Sequence, residues 1–410
     1  IMKKIILLNI NILFCLCLFG QSNLVTLNPG YSHQSFYSLQ NGEVLNVENT
    51  NWDIAFSTDA FSSSIRINDG QGVQLYTYHL GDTSAWNSIN TNSSNIVTDP
   101  MYNSDTSWNF GAFDVNQTNG FDYGWGVYNM QTHTVIGDSV FLMQTVDGNW
   151  KKLWIESKLG GEYFFKYANL DGSNEVNQNI AADNYSDKRF IYYSLETNNI
   201  IDREPNSSAW DITFTKYVTP VQGMPYPVTG ILNNHDIEVA QADNIANPLF
   251  YSDYSAHNFE SEINSIGYDW KSYQGSYVIT PDRCYFVRDY NMNIYRLTFT
   301  QFDGTSTGNI EFNTAILSAT GVTDLNSGST LNIYPNPAIN NQDIFFIYDI
   351  KSENSLLYIY DLTGKIVYSS RLASSGLKTH KIPSRILTSG TYIAVVEFNG
   401  ISLTKPLIVK

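Results

Sequence analysis

Trp52-Asp53-Ile54-Ala55-Phe56 returns later in the chain as Trp210-Asp211-Ile212-Thr213-Phe214. In an extended strand, successive side chains point to opposite faces, so Trp, Ile and Phe of each copy share one face and Asp lies on the other. A shared phrase precedes each copy, Tyr37-Ser38-Leu39 in one case and Tyr193-Ser194-Leu195 in the other. The pentapeptide therefore predicts a strand that occurs twice in similar surroundings.

Two later landmarks repeat in the same order. The segment 141–155 aligns without a gap on 285–299, and the spacing of Tyr123, Trp125 and Tyr128 is matched, with one residue of slip, by an equivalent aromatic triplet around Trp270. Chance similarity among aromatic-rich strands should not preserve order and spacing together. We therefore interpret the chain as a tandem duplication.

The composition predicts an all-β protein. Aromatic residues make up 14% and charged residues only 15% of the 410 residues. Tyr, Phe, Val, Ile and Thr suit half-buried pleated surfaces, whereas helix-favouring charged residues are few. The formal charge of −16 has no basic stripe to offset it. Such a chain repels phosphate backbones, so we expect no nucleic-acid partner.

The chain divides into five predicted segments. We expect a signal peptide at 1–20, two repeated β-rich domains at 21–180 and 181–315, a polar linker at 316–330 and a small β-sandwich at 331–410. The first segment has two lysines followed by a short apolar run, the layout of a secretory signal peptide. No later apolar run is long enough to cross a bilayer, so we expect no transmembrane segment in the mature chain.

Cys284 is expected to be the one cysteine of the mature chain, because Cys15 and Cys17 lie in the predicted signal peptide. It has no partner for an internal disulfide. The repeat register places it opposite Val140. This position favours a small buried side chain over a reactive thiol.

Three local structures follow from turn chemistry and periodicity. Asn68-Asp69-Gly70 and Asp147-Gly148 are typical of tight hairpin turns, in which Gly adopts a positive φ. The segment Asp236 to Asn247 is compatible with a short helix, and 83–119 is predicted to form long loops.

Residues 331–410 contain short apolar runs at regular spacing, separated by turn signals, as a small β-sandwich requires. This segment resembles the type A sorting domain of the type IX (Por) secretion system. The resemblance is carried by Tyr334-Pro335-Asn336-Pro337-Ala338, Ile359-Tyr360-Asp361-Leu362-Thr363-Gly364-Lys365, Leu387-Thr388-Ser389-Gly390-Thr391-Tyr392 and Pro406-Leu407-Ile408-Val409-Lys410. The resemblance implies that residues 331–410 engage the type IX machinery. The protein would then be secreted or attached to the outer-membrane surface.

The repeated portion is similar to the HmuY family of all-β surface haem-binding proteins. The similarity is carried by the Trp-Asp-Ile-x-Phe pentapeptide, Asn68-Asp69-Gly70, Tyr285-Phe286-Val287-Arg288 and Tyr295-Arg296-Leu297. It implies tandem HmuY-like domains with haem as the candidate cofactor. Members of the family hold the iron between two side chains, commonly histidines, and those ligands do not map onto particular positions here.

His235 and His257 are the candidate haem ligands, because haem iron takes an axial His, Met, Cys or Tyr. Both belong to the variable loop of the second copy, near Met224 and Tyr226. The alternative is that they are ordinary exposed loop histidines. The remaining histidines are weaker candidates: His33, His79, His133 and His380.

Asp53 and Asp211 occupy equivalent positions beside the repeated Trp. We expect each carboxylate to bind backbone N–H groups rather than act in catalysis, since two acids from separate copies have no reason to face one cleft. The sequence has no nucleophile elbow, zinc-protease or phosphate-loop motif. We predict no catalytic residues and no metal site, and the protein is not expected to be an enzyme.

The leading hypothesis is a secreted, cell-surface, non-enzymatic binding protein with haem or a related porphyrin as its ligand. The alternative is a surface adhesion or glycan-binding protein that stacks sugars on the loop residues Trp86 and Trp108. A secreted hydrolase, the third class, would need a cleft with acids of perturbed pKa.

Overall fold

Strands make up nearly all of the regular structure, which confirms the all-β prediction. The computed structural model describes residues 21–59, 62–118, 120–318, 330–339, 342–350, 355–361, 364–372, 376–398 and 401–410. The predicted signal peptide and residues 319–329 of the predicted linker lie outside these ranges. The chain forms two compact units, one extending to Leu317 and the other from Ser318 to Lys410.

The strands of the first unit follow one another from the N-terminal to the C-terminal side. They are β1 (Gln21–Thr26), β2 (His33–Ser38), β3 (Gly42–Glu48), β4 (Ile54–Ser57), β5 (Ile65–Ile67), β6 (Gln74–Thr77), β7 (Gly126–Asn129), β8 (Thr134–Gly137), β9 (Phe141–Gln144), β10 (Trp150–Leu159), β11 (Glu162–Asn169), β12 (Val176–Ala181), β13 (Phe190–Ser194), β14 (Asn199–Ile201), β15 (Ile212–Val221), β16 (Met224–Asn233), β17 (Glu238–Ala242), β18 (Lys271–Tyr273), β19 (Tyr277–Ile279), β20 (Cys284–Arg288), β21 (Ile294–Phe302) and β22 (Asn309–Ser318).

Short 3-10 helices interrupt the loops of this unit. They span Pro29–Tyr31, Asp69–Gln71, Thr83–Ser88, Thr91–Ile96, Ala112–Asp114, Ala182–Tyr185, Ser207–Ala209, Tyr254–Ala256 and Gly304–Ser306.

The same order of strand pairing occurs twice. In one half, β12-β11-β10-β9-β6 forms a sheet with the β7–β8 hairpin beside it; in the other, β1-β22-β21-β20-β17 forms a sheet and β18–β19 forms the corresponding hairpin. Two four-stranded sheets also match, β14-β13-β4-β5 and β3-β2-β15-β16. This repetition of strand order is what a duplication predicts.

Each larger sheet packs against one of the four-stranded sheets around its own aromatic core. We call these two sandwiches lobe 1 (β4 to β14) and lobe 2 (β1 to β3 with β15 to β22). The core of lobe 1 contains Phe56, Phe165 and Tyr193, and that of lobe 2 contains Tyr37, Phe214 and other buried side chains.

The lobes do not coincide with the predicted segments 21–180 and 181–315. β4 pairs with β13, from the second copy of the sequence, while β15 pairs with β2, from the first. The strand β12 closes the edge of lobe 1 beside β11, and β1 closes the matching edge of lobe 2 beside β22. The two copies are therefore interleaved in one compact unit rather than arranged as separate domains.

Two local predictions require correction. Asn68-Asp69-Gly70 is not a hairpin turn, because the 3-10 helix there joins β5 and β6, which belong to different sheets. The segment 236–247 contains β17 instead of a helix, since its pairing with β20 outweighs its weak helical periodicity. Asp147-Gly148 does form the turn between β9 and β10, and Gly148 has φ of 82°.

The second unit is a small β-sandwich, as predicted. Its sheets have the orders β23-β24-β27 and β26-β25-β28-β29, and they enclose a core that includes Phe346, Ile359 and Val396. A 3-10 helix spans Ser384–Ile386. The strands are β23 (Thr330–Tyr334), β24 (Asp343–Ile350), β25 (Ser355–Asp361), β26 (Ile366–Leu372), β27 (Gly376–Pro383), β28 (Gly390–Phe398) and β29 (Ile401–Val409).

Candidate functional site

The two four-stranded sheets each have a second face, directed away from their lobe cores. Ile54 and Phe56 enter the core of lobe 1, whereas Ala55 and Trp52 pack with Phe190 and Tyr192 in a separate cluster. Trp52 therefore does not share a face with Ile54, contrary to the alternation expected from the sequence. The strand begins only at Ile54, so the period of two does not extend back to the tryptophan.

A cavity of about 60 Å³ lies on these second faces, with walls contributed by both lobes. Its aromatic walls include Trp52 and Trp210, the equivalent tryptophans of the two copies. Phe36 packs edge-on against Trp210 with ring centroids 5.1 Å apart. The remaining lining residues are Gln34, Asn49, Ala55, Arg66, Ile67, Asn68, Asp69, Asn103, Trp108, Arg189, Phe190, Tyr192, Glu204, Thr215, Lys216, Tyr217 and Leu232.

Charged side chains are buried around this cavity. Arg66 donates to three backbone carbonyls of the loop 104–110 and lies 5.0 Å from the centre of the Trp108 ring. Arg203 donates to Gln34 Oε1 at 2.7 Å and stacks over Tyr192 at 5.0 Å. Both guanidinium groups are thus held by oxygens and aromatic faces.

Two buried carboxyl groups accompany these cations. Burial raises the pKa of Glu204 to about 7, although the N–H of Arg189 and the Tyr192 hydroxyl both donate to its carboxylate and oppose that shift. Burial likewise raises the pKa of Asp69 to about 6, while Arg66 and Asn103 favour its charged form. Both acids therefore titrate closer to neutrality than exposed carboxyl groups do.

A second concavity, which we call the cleft, is far larger, with a volume of about 830 Å³. Lobe 1 contributes Trp108 and its loop neighbours to this cleft, and lobe 2 contributes the rest. Trp108 also lines the cavity, and its indole N–H donates to the Asn233 carbonyl of lobe 2 at 2.8 Å. The cleft is lined by Thr106, Ser107, Trp108, Asn109, Asn234, His235, Asp236, Glu238, Ser261, Glu262, Ile263, Arg288, Asp289, Tyr290 and Met292.

The candidate haem ligands His235 and His257 line different depressions. His235 lies in the cleft, with Nδ1 2.8 Å from Asp236 Oδ1. His257 lies in a smaller pocket of about 440 Å³, where its Nε2 is 3.0 Å from the Tyr251 hydroxyl and its ring packs on Phe286. The structure therefore does not bring the two histidines to one pocket.

Of the two tryptophans proposed for sugar stacking, Trp108 is partly buried and Trp86 is buried. Trp86 is only 5% exposed, and the ammonium groups of Lys152 and Lys166 lie over its ring at 4.7 and 4.8 Å. Its indole N–H donates to Glu175 at 2.9 Å. Trp86 is thus a packed residue rather than a sugar platform, because these partners occupy its surface.

The prediction for the two equivalent aspartates is confirmed. Asp53 accepts hydrogen bonds from the backbone N–H groups of Val146 at 3.0 Å and Leu195 at 2.7 Å, and Asp211 accepts one from Leu39 at 2.6 Å. Burial raises the pKa of Asp211 to about 6. Through these hydrogen bonds the carboxylates hold distant backbone segments together, as expected for a structural role.

Cys284 is fully buried, also as predicted, and burial raises the pKa of its thiol to about 11. Among the described ranges, no group of three or more His, Cys, Asp or Glu residues could hold a metal ion.

The sequence analysis missed Arg66, Arg189, Arg203 and Glu204. A signal was present for two of them, since only 15% of the residues are charged, Arg66 stands between Ile65 and Ile67, and Arg189 directly precedes Phe190. Charged residues in such positions are seldom buried unless they are paired or serve a function.

Comparisons with known proteins identify the second unit. Residues 332–410 match the secretion system C-terminal sorting domain family. No curated protein matches the chain. Within the part of the chain that the structure describes, no helix is long and apolar enough to cross a bilayer.

Three solved structures are weakly similar to between 69% and 92% of the chain. PorZ, a surface component of the type IX secretion system of Porphyromonas gingivalis, is 12% identical with a TM-score of 0.18, covering 69% of this chain and 44% of its own. Dimeric latent PorU from the same organism is 11% identical with a TM-score of 0.17, covering 92% and 40%. The BSP domain of a biofilm-associated protein is 8% identical with a TM-score of 0.17, covering 88% and 76%.

The chain spans less than half the length of the first two proteins, and these scores are too low to define a shared fold. The sorting domain is the informative match, because it covers the segment whose motifs resemble a type IX sorting domain. It therefore implies export by that system. The protein is therefore a secreted or cell-surface-attached protein that carries the C-terminal sorting domain of the type IX secretion system.

Proposed function

We propose that this protein is a non-enzymatic binding protein of the cell surface whose ligand occupies the cleft. The observation that carries the proposal is the cleft itself, whose volume of about 830 Å³ falls in the range of small-molecule sites. Both lobes contribute to its walls, so a bound ligand would contact both copies of the sequence. Residues 331–410 would engage the export machinery and leave the cleft to the first unit.

The chemistry of the lining favours a neutral, polyhydroxylated ligand such as a surface glycan. Amides, hydroxyls and four carboxylates line the cleft against a single arginine. Arg288 already pairs with Glu238 and lies 3.8 Å from the centre of the Phe259 ring. Tyr290 is 73% exposed and offers a free aromatic face to a sugar ring.

Haem is the second candidate, supported by one feature of the cleft. His235 and Met292, two residue types that ligate haem iron, both line it. The excess of carboxylates opposes this ligand, because the two propionates of haem are also negative. The aromatic and charged walls lack the continuous apolar slot that the macrocycle requires.

A glycan array with the purified protein tests the first candidate. We expect binding that Tyr290→Ala weakens at least tenfold. Tyr273→Ala is the matched control, because Tyr273 is 70% exposed but lies outside the cleft lining. Absence of glycan binding, or equal loss in both variants, would contradict the glycan assignment.

A hemin titration monitored by Soret absorbance tests whether haem is the ligand. If haem is the ligand, His235→Ala and Met292→Ala should each abolish or displace the Soret band, whereas His257→Ala should leave it unchanged. No spectral change at micromolar protein concentration would exclude haem. Loss of the band in His257→Ala would instead indicate a site outside the cleft.

A further inference from the structure

The cavity between the four-stranded sheets holds cationic side chains that are not in direct contact with a carboxylate. Arg66 and Arg189 line it, and across the described ranges neither lies within 4.0 Å of a carboxylate oxygen. Buried charges are costly unless they are paired. The protein carries a net charge of −16, so acids are not scarce elsewhere in the chain.

The two acids of the cavity are engaged with other donors. Asp69 accepts from the backbone N–H of Asn103 at 3.1 Å and from its side-chain amide at 2.8 Å. Glu204 accepts from the N–H of Arg189 and the hydroxyl of Tyr192, both at 2.8 Å. These contacts leave the side-chain N–H groups of Arg189 without a carboxylate.

Buried donors around the cavity also lack acceptors. Trp210 is 3% exposed, and its indole N–H has no hydrogen-bond partner among the described residues. The same holds for the Nε of Arg189 and the hydroxyl of Tyr217. By contrast, the equivalent Trp52 donates to Asn49 Oδ1 at 2.9 Å. Several unpartnered donors around one cavity indicate a missing acceptor.

We propose that this cavity is a binding site for a small oxyanion, either a carboxylate or an inorganic phosphate or sulfate. Arg66 supplies positive charge, since its donors already bind carbonyls, while Arg189 Nε and Trp210 Nε1 supply hydrogen bonds. Guanidinium and indole N–H groups match oxyanion acceptors well. A volume of about 60 Å³ limits the ligand to a few non-hydrogen atoms.

The bound anion would also contact both lobes and stabilise their packing against each other. Arg66 and Trp52 belong to lobe 1, whereas Trp210 and Tyr217 belong to lobe 2. A ligand that binds only when the two sheets face each other stabilises that arrangement by mass action. Among the residues that the structure describes, Trp108 is the one lining residue that this cavity shares with the cleft, and the variants that test the two proposals lie at other positions, so the proposals succeed or fail independently.

Thermal unfolding and isothermal titration calorimetry of the purified protein test the proposal. Acetate, phosphate and sulfate are each added against chloride at constant pH and ionic strength. At a hundredfold excess over Kd we expect at least one of them to raise Tm by roughly 3–6 °C, with a saturable heat of binding. A response to acetate alone identifies a carboxylate ligand, and a response to phosphate or sulfate identifies an inorganic one.

Two variants locate the site. Arg189→Gln and Trp210→Phe should each weaken anion binding at least tenfold. Lys188→Gln and Trp154→Phe are the controls: Lys188 pairs with Asp202 outside the cavity, and Trp154 has an unpartnered indole N–H that does not line it. Both controls should bind the anion as the unmodified protein does.

Two results would overturn the proposal. One is the absence of any saturable anion response in the unmodified protein, which would leave water as the occupant. The other is undiminished anion binding in Trp210→Phe or Arg189→Gln, each being sufficient by itself if the other variant fails to fold.

Discussion

The carboxylate of Asp211 accepts a hydrogen bond from the backbone N–H of Leu39, 2.6 Å away and 172 residues earlier in the chain. Asp53 makes the reciprocal contact with the N–H of Leu195 at 2.7 Å. The backbones cross in the same way, because Asp211 N–H donates to the Tyr37 carbonyl and Asp53 N–H to the Tyr193 carbonyl. Each copy of the repeated pentapeptide thus forms hydrogen bonds with the Tyr-Ser-Leu segment of the other copy.

Replacing either aspartate should destabilise the first unit. Asp211→Ala leaves the Leu39 N–H without its charged acceptor, and we expect a loss of about 1.5–3 kcal/mol in the free energy of unfolding. Chemical denaturation measures this loss. Asp147→Ala, at an exposed turn, is the control and should change stability by less than about 0.5 kcal/mol. A neutral effect of Asp211→Ala would contradict the structural role.

Gly70→Ala should be strongly destabilising because of a close approach between lobes. A Cβ at Gly70 would lie 1.9 Å from the backbone carbonyl oxygen of Lys216. Relieving such overlap costs about 1–3 kcal/mol or more. Gly120→Ala is the matched control, since a Cβ there meets nothing within 4 Å. Equal melting temperatures for the two variants would show that the lobes are not packed as described.

The interleaved lobes should unfold together. Lobe 2 is discontinuous, because the whole of lobe 1 lies between β3 and β15 in the chain, and buried side chains of both lobes line the cavity, so unfolding of one lobe exposes buried surface of the other. Differential scanning calorimetry should show one cooperative transition for the first unit and a separate one for residues 318–410.

The fragment 181–317 provides a sharper test of the exchange of strands between the two copies. It lacks Val25, Tyr37 and Leu39, which belong to the core of lobe 2. We expect it to show little native structure by circular dichroism. A fragment 181–317 that folds cooperatively would support independent domains instead.

The pH dependence of stability should report the buried Glu204. Its pKa is raised from 4.5 to about 7 in the folded state, so the folded protein retains a proton that the unfolded chain has lost between those values. Stability from this group is full below about pH 4.5 and is lost as pH rises through about 7.

Comparison with Glu204→Gln isolates this contribution from the other buried acids. The stability of the unmodified protein relative to the variant should fall by up to about 1.4 kcal/mol per pH unit between pH 5 and 7. Urea denaturation across that range measures it. A difference that does not change with pH, or one that grows as pH rises, would contradict the assignment.

Cys284 should be unreactive until the protein unfolds. Its side chain is fully buried and its thiol pKa is raised to about 11, so thiolate is scarce at neutral pH. Ellman's reagent should label it only in denaturant. Cys284→Val, which copies the equivalent buried Val140, should retain the native melting temperature within a few degrees. Rapid labelling of the native protein would show that the strand β20 opens readily.

Five features could be predicted from the amino-acid sequence: the all-β class, the repeated strands, the structural role of Asp53 and Asp211, the burial of Cys284 and the C-terminal sorting domain. These features depend on local periodicity, on turn residues and on spacing within one segment. Motif and pattern are sufficient for them because each strand carries its own alternation of buried and exposed side chains.

The pairing of strands between the two copies could not be predicted from the sequence and is known from the folded chain. Backbone donors and acceptors are the same at every strand edge, so the phrase Tyr37-Ser38-Leu39 does not specify whether its partner is the strand after Trp52 or the one after Trp210. Once β2 pairs with β15 and β13 with β4, side chains far apart in sequence meet on the second faces of the sheets. The cavity around Arg66, Arg189 and Trp210 follows from that exchange of strands.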